Sequence, residues 1–244
     1  MNDPKREILS QVASGAITAE EGAARLEALE SEPPPAAPPA AQAPTTGIRQ
    51  VTVNTRFGNT EIIGDPTVAG AVADGPHKAR QDGDAVVIDQ SLLSGETTFE
   101  FSRRRISIPG YDRSNNLTVR MNPALMLRTR VQAGNLRIHG VNGPITSDVQ
   151  AGNCVVDGFA GPVNLMVSAG NLEARGRLDG GSSAIRCQMG EVKVDLDKTS
   201  NVRITTHTTL GEVDVRGVTG EVVGNGAGSL EISCTMGDVK VRVG

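Results

Sequence analysis

The residues of this chain best placed to do chemistry return at a fixed offset from a glycine. Asn135, Asn153 and Asn171 follow Gly134, Gly152 and Gly170, and Glu191, Glu212 and Asp238 follow Gly190, Gly211 and Gly237. If these positions lie above one another, the asparagines form a ladder of side-chain amides. The three acids then crowd and repel unless a cation, or Lys193 and Lys240, offsets them. Oxygen ligands in that column suit a divalent cation such as Ca²⁺. Solvated turn acids are the favoured reading, because no dense Asp-rich loop accompanies them. No metal or cofactor is therefore expected.

Other reactive residue types are scattered. His77, His139 and His207 are far apart in sequence and carry no ligand spacing. Cys154, Cys187 and Cys234 are an odd number without metal-ligand spacing, and read as small buried fillers in a reducing compartment. A phosphate loop, a serine elbow and a nucleophilic-cysteine signature are all missing. A carbohydrate-active β-helix enzyme needs acids converging on one face, and only Glu191, Glu212 and Asp238 qualify, without an aromatic sugar platform. The expectation is a protein that is not an enzyme.

The spacing of the glycines dictates the elements that carry these residues. Gly134, Gly152, Gly170, Gly190 and Gly211 lie 18, 18, 20 and 21 residues apart. A period near 20 with β-type residues after each glycine reads as a solenoid. Apolar and polar residues alternate within each unit, so one face of each strand points inward. Aligned on the glycine, Val131, Val149, Val167, Cys187, Thr208 and Cys234 form one inward column. Leu136, Cys154, Leu172, Val192, Val213 and Val239 form a second, and Ile138, Val156, Ala174, Val194, Val215 and Val241 a third.

The phrase occurs once earlier, at Phe57-Gly58-Asn59, 76 residues before Gly134. That gap has room for about four coils, filled by strand-like stretches at 85–88, 97–101, 106–108 and 117–121. The fold expected for residues 48–244 is all-β, a parallel β-solenoid of roughly ten coils (nine to eleven), stacked in chain order with a longer excursion near 218–229.

Composition agrees. Aromatics make up only 2% of the 244 residues, which fits a narrow core of stacked Val, Ile and Leu. A net charge of −4 argues against nucleic acid as partner. The chain has neither an apolar stretch long enough to span a bilayer nor an apolar signal region, so a cytoplasmic location is expected.

Residues 1–31 read as a small α-helical hairpin. Asp3-Pro4 starts a helix with Ile8 and Val12 on its apolar stripe, and Gly15 ends it. Thr18-Ala19-Glu20-Glu21 is a capping box that opens a second helix with Ala23, Leu26 and Leu29 on its apolar face. Two such short helices bury too little to stand alone, so Ile8, Val12, Leu26 and Leu29 are candidate contacts for a protein partner. Residues 32–47, with Pro33-Pro34-Pro35 and Pro38-Pro39, are a semi-rigid linker. Arg103-Arg104-Arg105 is the one basic run, either a solvated loop or a contact for a partner or an acidic lipid surface.

The repeated Gly-Asn/Asp-[VIL]-x-[VIL] unit over residues 48–244 resembles the bacterial putative-adhesin, or toastrack, family of β-repeat domains. Gly15-Ala16-Ile17-Thr18-Ala19-Glu20-Glu21-Gly22-Ala23-Ala24-Arg25-Leu26 looks like the two-helix segment that precedes such repeats in envelope-stress proteins of the Lia and phage-shock type. The resemblance implies a non-enzymatic module that senses or relays envelope damage. Beside this reading as a partner-recruiting scaffold stand a self-assembling filament joined through exposed solenoid ends and a surface adhesin.

Overall fold

The structure, a computed structural model, describes Glu21 and residues 47–90, 116–218 and 221–244. All but Glu21 belong to one compact unit, Gln42–Gly244. The hairpin and linker over 1–46, the strand-like stretches at 97–101 and 106–108, and Arg103–Arg105 otherwise lie outside the described residues.

Alternating sequences become strands throughout, and the chain folds as an all-β, mostly parallel, strongly curled sheet of 17 strands. They are β1 (Gln50–Gly64), β2 (Ala71–Asp74), β3 (His77–Asp82), β4 (Ala85–Gln90), β5 (Asn116–Met121), β6 (Met126–His139), β7 (Ile145–Ala151), β8 (Cys154–Phe159) and β9 (Val163–Ala169). Then follow β10 (Leu172–Gly176), β11 (Ser182–Met189), β12 (Val192–Leu196), β13 (Val202–Leu210), β14 (Val213–Arg216), β15 (Val222–Val223), β16 (Gly228–Met236) and β17 (Val239–Val243).

Each rung has two arms that meet at a corner glycine. The arms before the corner pair in parallel through β1, β6, β7, β9, β11, β16 and β13. The arms after it pair through β1, β6, β8, β10, β12, β17 and β14. Val131, Val149 and Val167 stand in register, as the column reading requires. The corner is tight: Gly152 has φ of +134°, and a Cβ built there would lie 1.7 Å from the carbonyl oxygen of Gly134 in the rung below. Only glycine fits both demands.

Two expectations need correction. Gly58 pairs directly with Gly134, so the described residues of the intervening segment, 65–90 and 116–125, add no coil between those two rungs. Part of that segment turns back instead. Gly83, at φ +61°, closes a hairpin that lays β3 antiparallel on β4; β4 and β5 then pair with the two arms of β1. Among the described residues seven rungs carry a glycine corner, and β4 with β5 adds a further layer without one.

The second correction concerns order. The C-terminal rung, β16–β17, does not end the stack; it lies between β11–β12 and β13–β14. The glycines record this, since Gly237 sits against Gly190 and Gly211 against Gly237. The reason is apolar content. Ile232, Val239 and Val241 are fully buried, whereas Val213 and Val215 of the displaced rung stay about 40% and 39% exposed. β13 offers Thr206 and Thr208 where β16 offers Ile232 and Cys234. The richer rung takes the doubly covered place, because burial of apolar area stabilises by about 25 cal/mol per Å².

Between the arms lies one continuous core, including Leu136, Leu165, Leu172, Ile185 and Phe159. The three cysteines are buried and free. Desolvation pushes the Cys154 thiol up to about 12, and desolvation aided by neighbouring Cys234 pushes Cys187 to about 11. Both stay protonated and inert at neutral pH. Interior hydroxyls pair with one another: Thr129 donates to Ser147 at 2.9 Å, and Thr55 and Thr60 are 2.7 Å apart.

Candidate functional site

The outward face of the second arms holds the asparagines and acids that follow the corner glycines, together with Lys193 and Lys240. Strand alternation points the position after each corner glycine outward, and the register stacks those positions. Asn135 Nδ2 donates to Asn59 Oδ1 at 2.9 Å, Asn153 Nδ2 to Asn135 Oδ1 at 3.0 Å, and Asn171 Nδ2 to Asn153 Oδ1 at 3.3 Å. The ladder extends further than expected, because Asn59 Nδ2 donates to Asn116 Oδ1 at 3.1 Å. Asn116 has no glycine before it, so the repeat phrase does not reveal it.

The column continues in spatial order as Glu191, Asp238, Glu212. Asn171 Oδ1 accepts the Glu191 backbone N–H at 3.1 Å, and Asp238 Oδ1 accepts that of Glu212 at 3.0 Å. The carboxylate of Glu191 is held by Lys240 Nζ at 2.6 Å and Lys193 Nζ at 3.0 Å. Their two hydrogen bonds, Lys240's first, lower the Glu191 pKa, and Glu191 raises that of Lys240. The column is thus offset by lysines. Among the described residues no group of three or more His, Cys, Asp or Glu is arranged to hold a metal.

Beside the asparagines runs a second column of mixed sign. His139 Nδ1 lies 3.6 Å from Asp157, Arg175 reaches Asp157 at 4.0 Å and Asp195 at 3.3 Å, and Arg175 also pairs with Glu173. Arg242 and Arg216 follow in register. These acids raise the Arg175 pKa, Glu173 most. Between the columns lies a groove of about 420 Å³ lined by Asn135, Asn153, Asn171, Arg137, Glu173 and Lys193. Next to it is a charged hollow of about 250 Å³ that includes Arg175, Asp195, Lys240 and Arg242. Such a face presents donors and acceptors about 4.8 Å apart along the stack, a geometry for hydrogen-bonding an extended polar partner.

His77 and His207 are elsewhere: His77 contacts the Gly75 carbonyl at 2.8 Å, and His207 is exposed on β13. The candidate contacts Ile8, Val12, Leu26, Leu29 and Arg103–Arg105 lie outside the described residues.

The lysine clamp sets a pH dependence. A carboxyl whose pKa is lowered on folding stabilises above its unfolded pKa, near 4.3, and loses that contribution as pH falls through the folded value. Glu191→Gln is expected to remove less than ~1 kcal/mol at neutral pH, since the clamp is at the surface, and almost nothing once the pH is low enough to protonate Glu191 in the folded protein. Denaturant melts at the two pH values check this; an equal loss at both would exclude the clamp.

The chain matches no family model and no curated protein. Among solved structures it resembles the crystal structure of a putative cell adhesion protein from Clostridium sporogenes, at 14% identity and a TM-score of 0.48 over 83% of this chain and 96% of that one. No helix among the described residues is long and apolar enough to cross a membrane.

Proposed function

We propose that this chain is a non-catalytic scaffold of the bacterial cell-envelope stress response. Its β unit forms a rigid solenoid, its hairpin recruits a protein partner through Ile8, Val12, Leu26 and Leu29, and it works in the cytoplasm. The observation that carries this reading is the outward polar face. Its acids and bases are joined laterally, Glu191 to two lysines and Arg175 to three acids, rather than converging on one reacting atom. Paired charges on a stiff sheet give an interaction face that favours specificity over tight binding. The envelope-stress assignment rests on the resemblance of residues 15–26, and Arg103–Arg105 supply a contact for acidic lipid.

The test is affinity capture with three full-fold baits: the intact chain, a chain lacking residues 1–31, and Arg175→Glu with Lys193→Glu. Loss of the principal partner from the second bait supports the recruiting hairpin, and loss from the third supports the face. An identical set of partners from all three would overturn the proposal. The amide ladder also favours a second reading, a surface adhesin that lays an extended polar polymer along the groove. Finding the native protein outside the cell would favour that reading.

A further inference from the structure

The two ends of the stack are finished differently. At the β1 end, β4 and β5 are covered in turn by antiparallel β3 and β2, and Val86, Ile88, Leu117 and Val119 are all buried. The outermost strand there, His77–Asp82, is polar apart from Ala79 and mostly exposed, the kind of edge that resists pairing. At the other end β14 pairs with β17 on one side, and among the described residues no strand pairs with its other side. Its inward Val213 and Val215 are exposed, although the equivalent Val239 and Val241 one rung below are fully buried. At this end β13 carries antiparallel β15 over Val202 and Arg203, but the β14 arm is an unfinished core with an open edge.

The sequence of that edge is complementary to itself. β14 reads Val213-Asp214-Val215-Arg216, with the valines on the inner face and the charges on the outer. Let two copies meet antiparallel about a two-fold axis through Val215. Val215 of one copy then faces Val215 of the other, so the valine layer closes. Asp214 of each faces Arg216 of its neighbour on the outer surface, a favourable cross-strand pair. In the single chain these two side chains already pair with each other, at 3.0 Å from Arg216 Nε and 2.8 Å from Arg216 Nη2, so they sit on the same face and can exchange partners.

We propose that the occupant of the β14 edge is a second copy of this chain, giving a closed head-to-head dimer. The contact is isologous and uses up the only unfinished end among the described residues, so assembly stops at two. This replaces the filament as the form of self-association. It is independent of the scaffold proposal, since a chain that recruits no partner can still dimerise.

Sedimentation velocity on the full chain, from low micromolar to sub-millimolar concentration, tests it. The native chain should show a reversible monomer–dimer equilibrium. Val215→Lys should weaken it about tenfold or more, with the melting temperature unchanged because the side chain is already exposed. Asp214→Arg and Arg216→Asp should each weaken it ~5-fold, as two symmetric pairs are lost, and the double swap should restore the native affinity. The charge-swap set stands even if Val215→Lys disturbs folding. A chain that is monomeric throughout, or that grows without limit, would overturn the proposal. So would a dimer indifferent to all four variants, or a double swap no better than the singles. A monomer whose β14 amides are strongly protected from exchange would show that another segment of the same chain fills the edge, and would overturn it equally.

Discussion

Gly152→Ala is expected to lower the melting temperature by ~10–15 °C, whereas Gly83→Ala, in the same protein, lowers it by only ~2–4 °C. Both glycines have positive φ, but +61° at Gly83 lies in the left-handed well that an L-residue enters at about 1–2 kcal/mol, whereas +134° at Gly152 is open to glycine alone. The surroundings separate them further. A Cβ at Gly83 meets nothing within 4 Å, while one at Gly152 lies 1.7 Å from the Gly134 oxygen and 2.7 Å from its carbonyl carbon. Both of those atoms belong to the backbone of the rung below, which cannot rotate away as a side chain would. The ladder must open at the corner, which breaks register on both arms. A cost of about 4 kcal/mol belongs to that class of lesion, and each kcal/mol moves the midpoint ~2–4 °C in a domain of this size. Circular dichroism melts of the two variants decide it. Nearly equal midpoints would mean that the corners are not packed glycine upon glycine.

Ending the chain after Ala227 is expected to abolish the cooperative fold. In a stack built in chain order, that cut removes a terminal rung and leaves the rest standing. Here β16–β17 bridges two other rungs, so the cut strips the partner from both β11–β12 and β13–β14. It removes the buried side chains Leu230, Ile232, Cys234, Val239 and Val241. At ~1.5–3 kcal/mol each, they amount to on the order of 10 kcal/mol, comparable with the whole stability of an ordinary domain. In the intact chain the same order makes the C-terminal strands more protected from hydrogen exchange than the preceding β13 and β14. A truncated chain with a sharp, near-native melt would contradict the account.

The repeat phrase made most of this architecture legible. The columns through Val131, Leu136 and Ile138, and the burial of all three cysteines, follow from period-two alternation aligned on glycine. What the phrase cannot supply is adjacency. Every rung carries the same pattern, so the pattern fits any stacking order, and the order is settled by small differences in apolar content. Thr206 and Thr208 were the visible trace of the poorer rung. Between Gly58 and Gly134 the misleading signal was length, and the informative one was Gly83, a reversal point within alternating sequence. At the candidate site, the asparagine column and the lysines flanking its acids were readable from the phrase. The Asp157–Arg175–Asp195 chain was not: its spacing is the same, but the residue type changes from rung to rung, so no repeated letter marks the column.

The central claim is the insertion of the C-terminal rung, and paired cysteines test it most directly. Asp195 and Arg242 are register partners in adjacent rungs, and Arg216 lies one rung beyond Arg242. Neighbouring strands are about 4.8 Å apart, within the reach of a disulfide, whereas two rungs, ~9.6 Å, exceed the ~6.8 Å limit between Cα atoms. Asp195→Cys with Arg242→Cys should therefore oxidise readily to an intramolecular disulfide, and Asp195→Cys with Arg216→Cys should not. Rapid closure of the 195–216 pair with an open 195–242 pair would put the rungs back in chain order and refute the insertion.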